Sequence, residues 1–206
     1  MAFVIFDTEY TSWKGCQEHG WLGRQKKEIV QIAALKVSED FRVLATFNQL
    51  CQPVFNPILS DYFMNLTHIT NEDIKRQGVP FAEVYMKFCD FVQNKVCFSH
   101  AWGSDFFHPS DGAVIDENLN LCSIKKADHI VYRNIGAVFS DLYHKKNINI
   151  TSQTAGQIAQ LLHVDYQLKK LGIKPHNALY DVYSILEGLR YFRNDIIALK
   201  DKGFKV

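Results

Sequence analysis

The chain has 206 residues, 47% of them apolar, with a formal net charge of +1 and five cysteines. That size buries a full core and favours one domain over residues 1–206, while the absence of a long apolar span or N-terminal signal pattern leads us to expect a soluble, cytoplasmic protein with no membrane partner. Cysteines at 16, 51, 89, 97 and 122 are odd in number and show no C-x-x-C pair, which argues against a disulfide framework and structural zinc, and the near-neutral balance argues against a broadly basic grip on long nucleic acid.

In chain order, an apolar run predicts a first strand over residues 2 to 6, followed at once by Asp7-Thr8-Glu9-Tyr10-Thr11. Side chains in a strand repeat every second residue, so Asp7 and Glu9 project to one face. At about 4 Å and an effective dielectric of about 20 two carboxylates repel by roughly 4 kcal/mol, so the pair needs a proton or a cation. An oxygen-preferring divalent metal fits. Strands at 28 to 37 and 41 to 50 follow, separated from the first by a loop rich in Gly and Trp that carries Arg24-Gln25-Lys26-Lys27, a cluster read as a solvated face. Thr70-Asn71-Glu72-Asp73 reads as a capping box, and Phe81, Val84, Tyr85, Phe88 and Val92 recur at helical spacing.

Residues 96 to 100 form a short apolar strand that runs on into Ala101-Trp102-Gly103-Ser104-Asp105. Asp105 continues directly from this strand, five residues after His100, and Asp111 stands at the start of a helix-like run. A strand near 129 to 132 and helices around 134 to 144, 154 to 163 and 177 to 193 complete the pattern. In the last of these, Pro175 keeps His176 on the preceding loop. Asp181 falls in the first turns, on the border of a face formed by Ala178, Val182, Ile185, Leu186, Leu189 and Phe192. Three early strands followed by alternating helices and strands predict an α/β fold, a mixed central sheet flanked by helices.

An Asp-x-Glu after the first strand, a mid-chain aspartate and His-x4-Asp at the last long helix resemble, in that order, the DEDD family of 3′-to-5′ exonucleases in its histidine subclass. Asn177 stands where the other subclass has tyrosine. The segments Glu28 to Val37, Leu66-Thr67-His68-Ile69-Thr70-Asn71 and Gly156-Gln157-Ile158-Ala159 extend the likeness over most of the chain. Phe6 to Trp13 and Ser99-His100-Ala101-Trp102-Gly103 resemble the RNase T-like and RNA-trimming branches.

The resemblance implies a ribonuclease H-like fold and release of nucleoside 5′-monophosphates from single-stranded or frayed ends, RNA rather than DNA. It implies two Mg²⁺ or Mn²⁺ ions held by Asp7, Glu9, Asp181 and a mid-chain aspartate, which by the family's spacing is Asp105 in preference to Asp111, with His176 as the general base. By the same likeness Thr8, Tyr10, Thr11, Leu66 and Thr67 would meet the terminal nucleotide. The rival is a catalytically weak or inactive binding or regulatory module. Some relatives dimerise, although no sequence feature here shows a homodimer.

Overall fold

The computed structural model describes residues 2–101, 110–150, 153–170 and 172–200. Its elements run β1 (Ala2–Tyr10), α1 (Cys16–His19), β2 (Ile29–Ser38), β3 (Val43–Gln52), α2 (Asp61–Thr67), α3 (Asn71–Gln77), β4 (Val79–Pro80) and α4 (Phe81–Val92). There follow β5 (Val96–Ser99), α5 (Ser110–Leu121), β6 (Val131–Asn134), α6 (Gly136–Lys145), a 3₁₀ turn at Ala155–Gln157, α7 (Ile158–Leu161), α8 (Tyr166–Lys170), α9 (Ala178–Tyr191) and α10 (Arg193–Lys200).

The strands form one mixed sheet in the order β4-β3-β2-β1-β5-β6. β1, β2 and β3 pair antiparallel, whereas β5 lies parallel to both β1 and β6. The central position of β1 follows from its near-continuous apolar run, which suits burial on both faces. Phe3 and Ile5 join Ala33, Leu35 and Phe98 against α6 and α9, while Val4 and Phe6 join Ile32, Ala34 and Cys97 against α4 and α5. The expected helix-flanked mixed sheet is thus what forms. Among the described residues no helix is long and apolar enough to cross a membrane, and all five cysteines are free thiols.

Several boundaries move. β1 runs four residues past Phe6, because Asp7 pairs with Ala33 and Glu9 with Gln31, so the two carboxylates sit inside a central strand. The last short strand is Val131–Asn134 instead of 129 to 132, in register with Val96–Ser99 of β5. The helix expected over 154 to 163 is a 3₁₀ turn followed by one α-helical turn. Thr70 does cap α3 with a reciprocal capping box to Asp73.

Candidate active site

A cleft of about 440 Å³ opens where the C-terminal part of β1 meets the starts of α5 and α9. Sequence dictates each approach. The two-residue strand period puts Asp7 and Glu9 on the face toward α9, and turns Thr8 and Tyr10 to the α5 side. The start of α9 is fixed by Asn177, whose side chain accepts from Leu179 N at 3.2 Å as an N-cap. Gln31, buried in β2 opposite Glu9, then ties that helix start to the sheet: its Oε1 accepts from Ala178 N at 3.0 Å and its Nε2 donates to Asn177 Oδ1 at 3.2 Å. One turn later Asp181 faces the strand carboxylates.

One carboxylate oxygen from each of Asp7, Glu9 and Asp181 lies within 4.8 Å of the others. Burial raises the pKa of Asp7 well above the usual carboxyl range, and the charges of Asp111, Asp181 and Glu9 push it further. Glu9 is raised by burial and by Asp181 and Asp111. Asp181 is pushed up to about 7 by burial, with the backbone amides of His176 and Gly156 offsetting part of the effect and Asp111 adding to it. Among the described residues its buried Oδ1 meets no hydrogen-bond donor in good geometry. Gly156 makes that packing possible, since a Cβ there would sit 2.5 Å from Asp181 Oδ1.

This donor set fits a divalent cation. It is all oxygen, mutually repelling, and includes the buried Asp181 Oδ1, which no donor among the described residues meets.

Asp111 opens α5 and is buried in the same cleft. Thr8 holds it by two donations to Oδ1, from the hydroxyl at 2.7 Å and from the backbone N–H at 3.3 Å. Asp105, the mid-chain aspartate favoured from sequence, lies outside the described residues. Among the described residues Asp111, the alternative, is the mid-chain carboxylate that lines the cleft, and the helix-start pattern is its signal in the sequence.

His176 also lines the cleft, half-buried, one residue before the Asn177 cap. Its φ of 62° is left-handed, an uncommon conformation for a residue with a Cβ, maintained where the capped helix start turns the chain. Burial, with His68 nearby, lowers its pKa below 6.5. The ring is therefore a neutral proton acceptor at neutral pH.

Of the residues expected at the nucleotide, Thr8, Tyr10 and Leu66 border the cleft. Thr11 and Thr67 do not, and both are buried for structural reasons. Thr11 Oγ1 donates to Lys26 O at 2.6 Å and accepts from Glu28 N at 3.0 Å. Thr67 Oγ1 donates to Phe63 O at 3.0 Å and accepts from Ile69 N at 3.2 Å, closing the end of α2. Tyr62, one helical turn before Leu66, borders the cleft in place of Thr67.

His100 and Gln153 also line the cleft. Tyr143 OH donates to Gln153 Oε1 at 3.1 Å, leaving Gln153 Nε2 3.5 Å from His100 Nε2. An amide nitrogen only donates, so His100 Nε2 accepts and its proton sits on Nδ1. Burial lowers the pKa of His100 to about 4, which keeps it neutral.

A model of the RNase T family, described as exonuclease, matches residues 4–189. Among curated proteins no match is found. Among solved structures, the nuclease domain of 3′hExo, a DEDDh family member bound to rAMP, is similar with a TM-score of 0.67 and 18% identity, over 94% of this chain and 92% of that one. Cell-death related nuclease 4 is similar with a TM-score of 0.65 and 18% identity, over 94% of this chain and 64% of that one. Exonuclease I of E. coli, in a zinc-bound complex with single-stranded DNA, is similar with a TM-score of 0.66 and 15% identity, over 98% of this chain and 42% of that one. The expected ribonuclease H-like arrangement is thus present.

Proposed function

Because the chain belongs to the RNase T family of exonucleases, we propose that it removes terminal nucleotides from the 3′ end of single-stranded or frayed nucleic acid, RNA in preference to DNA, as nucleoside 5′-monophosphates. The observation that carries this reading is the convergence of Asp7, Glu9 and Asp181 within 4.8 Å, in a cleft shared with His176 and Asp111. The histidine subclass of the family supplies the direction of attack, and the rAMP of one similar structure supports the ribose preference.

Asp7, Glu9 and Asp181 would hold one Mg²⁺ or Mn²⁺, and Asp7 with Asp111 would help to hold a second. Bound there, such cations neutralise developing charge on the phosphate and lower the pKa of bound water. The remaining work falls to the chain. His176, neutral and left-handed on its loop, accepts the proton of the attacking water. Tyr62 and Leu66 offer apolar surface to the terminal nucleoside, and Thr8, itself at the cleft, keeps Asp111 oriented. Mass spectrometry of products from 3′- and 5′-labelled RNA and DNA oligomers tests the reading. Metal-dependent release of 5′-monophosphates from the 3′ end is expected. Internal cleavage, or no products with either cation, would overturn it.

A further inference from the structure

The loop that sequence reads as an ordinary solvated face folds into a second concave site. A groove of about 600 Å³ lies between residues 21–27 and the C-terminal half of α5, lined by Trp21, Lys26 and Lys27 on one side and by Glu117, Asn120 and Leu121 on the other. The groove is held in shape from below. Trp21 Nε1 donates to Thr11 O at 2.8 Å, and Asn118, buried in α5, donates to Lys27 O at 3.0 Å and accepts from Ile29 N at 2.9 Å.

Its wall is aromatic and cationic together. Lys27 Nζ lies 4.5 Å from the Trp21 ring centroid and 5.2 Å from that of Tyr10, and the two rings are 5.8 Å apart. Tyr10 borders the catalytic cleft and packs against Trp21 and Lys27 of the groove wall, so its ring contacts link the two concavities. Helix α5 spans the same interval: Asp111 in its first turn lies in the cleft, and Glu117 to Leu121 reach the groove. At 1.5 Å per residue these positions are about 9 to 15 Å from Asp111 along the helix, roughly three to four stacked nucleotides.

We propose that this groove is a binding track for the single strand on the 5′ side of the scissile phosphate, with Trp21 as a stacking platform and Lys26 and Lys27 as phosphate partners. An exposed lysine, a half-buried lysine braced by two rings, and an indole pinned at its nitrogen are the components of sequence-tolerant single-strand binding. The track also answers the low net charge, because a short local patch grips a few phosphates without a basic surface. Glu117, 3.9 Å from Lys27, opposes phosphate and is displaced from Lys27 when the strand binds. The inference rests on the nuclease reading for the strand's polarity.

The test compares RNA oligomers of about two and about eight nucleotides. Hydrolysis gives the ratio of kcat/KM for the longer to the shorter substrate, and fluorescence anisotropy with EDTA gives binding without cleavage. The wild-type ratio should exceed about tenfold. Lys26→Glu, at an exposed position, should cut it at least fivefold and weaken binding of the longer oligomer, Trp21→Ala should act in the same direction, and Glu117→Gln should raise both quantities. A ratio unchanged by Lys26→Glu, or equal losses on both lengths, would overturn the track and leave the groove to some other partner. If the wild type cleaved neither oligomer the exonuclease reading would fail, and anisotropy would still decide the groove: binding indifferent to length or to Lys26→Glu would overturn it.

Discussion

Glu9 lies in β1 and Glu28 stands just before its partner strand β2, yet the fold treats their charges in opposite ways. Glu28 accepts three backbone N–H groups, from Val54 at 2.6 Å and Phe55 at 2.9 Å on one oxygen and from Asn56 at 2.6 Å on the other. A buried anion with three donors organises the loop after β3. Glu9 faces Asp7 and Asp181 instead, and burial, with the charges of Asp181 and Asp111, raises its pKa. The difference separates a structural carboxylate from a site. Where backbone amides converge, the charge has been used to fold the chain; where only carboxylates converge, it is held for something brought from outside.

The largest effect should come from neutralising the unsatisfied set. Asp7→Asn and Asp181→Asn are expected to abolish turnover with apo melting temperature unchanged or raised, because each removes repulsion among buried carboxylates. Calorimetry beside an oligomer assay checks both halves, and near wild-type turnover with normal metal dependence in either variant would remove the metal site. His176→Ala should come next, losing about 100- to 10,000-fold in turnover while still binding Mn²⁺. In the wild type the single-turnover rate should fall as acid protonates His176, at a pH below the ordinary histidine range. Loss of Mn²⁺ binding by isothermal titration would instead make His176 a ligand.

Glu28→Gln is the contrasting test. It should cost about 2 to 3 kcal/mol of stability, since an amide cannot accept from all three N–H groups. Turnover of the folded fraction should stay close to wild type. A denaturant titration with unchanged midpoint would erase the distinction drawn between the two glutamates. The mid-chain position offers a smaller effect: Asp111→Asn should cost at least tenfold more turnover than Asp105→Asn, about 1.4 kcal/mol of barrier. Paired kinetics showing the reverse ranking would return the role to Asp105.

The smallest effect is in pH linkage. Asp7, Glu9 and Asp181 bind protons more tightly in the folded apo chain than when unfolded, so their contribution is fully present below the unfolded carboxyl range. It is lost as pH rises toward the value of about 7 for Asp181. Saturating Mg²⁺ competes with those protons and should raise the melting temperature more at about pH 8 than at about pH 6. An equal rise at both would mean that the cation binds elsewhere.

Sequence by itself determined the order of elements and the local geometry of the site's parts. A strand period of two forces Asp7 and Glu9 to one face, helical spacing gives α4 and α9 their buried stripes, and Pro175 marks where α9 must begin. These are short-range consequences of backbone sterics and solvent. Tertiary structure alone decided which distant groups meet. Thr8 can orient Asp111 only because α5 packs on the opposite face of β1, a contact over 103 residues; the run around Asp111 marks a helix start without encoding that this start reaches β1. The same holds for Thr11 and Thr67, polar residues in the expected segments that backbone groups drew inward, and for Lys27, which lies beside Trp21 and Tyr10 because Asn118 of α5 holds its carbonyl. Side-chain hydrogen bonds and ring contacts between residues far apart in the chain depend on how sheet and helices pack, and that packing is settled by the whole core.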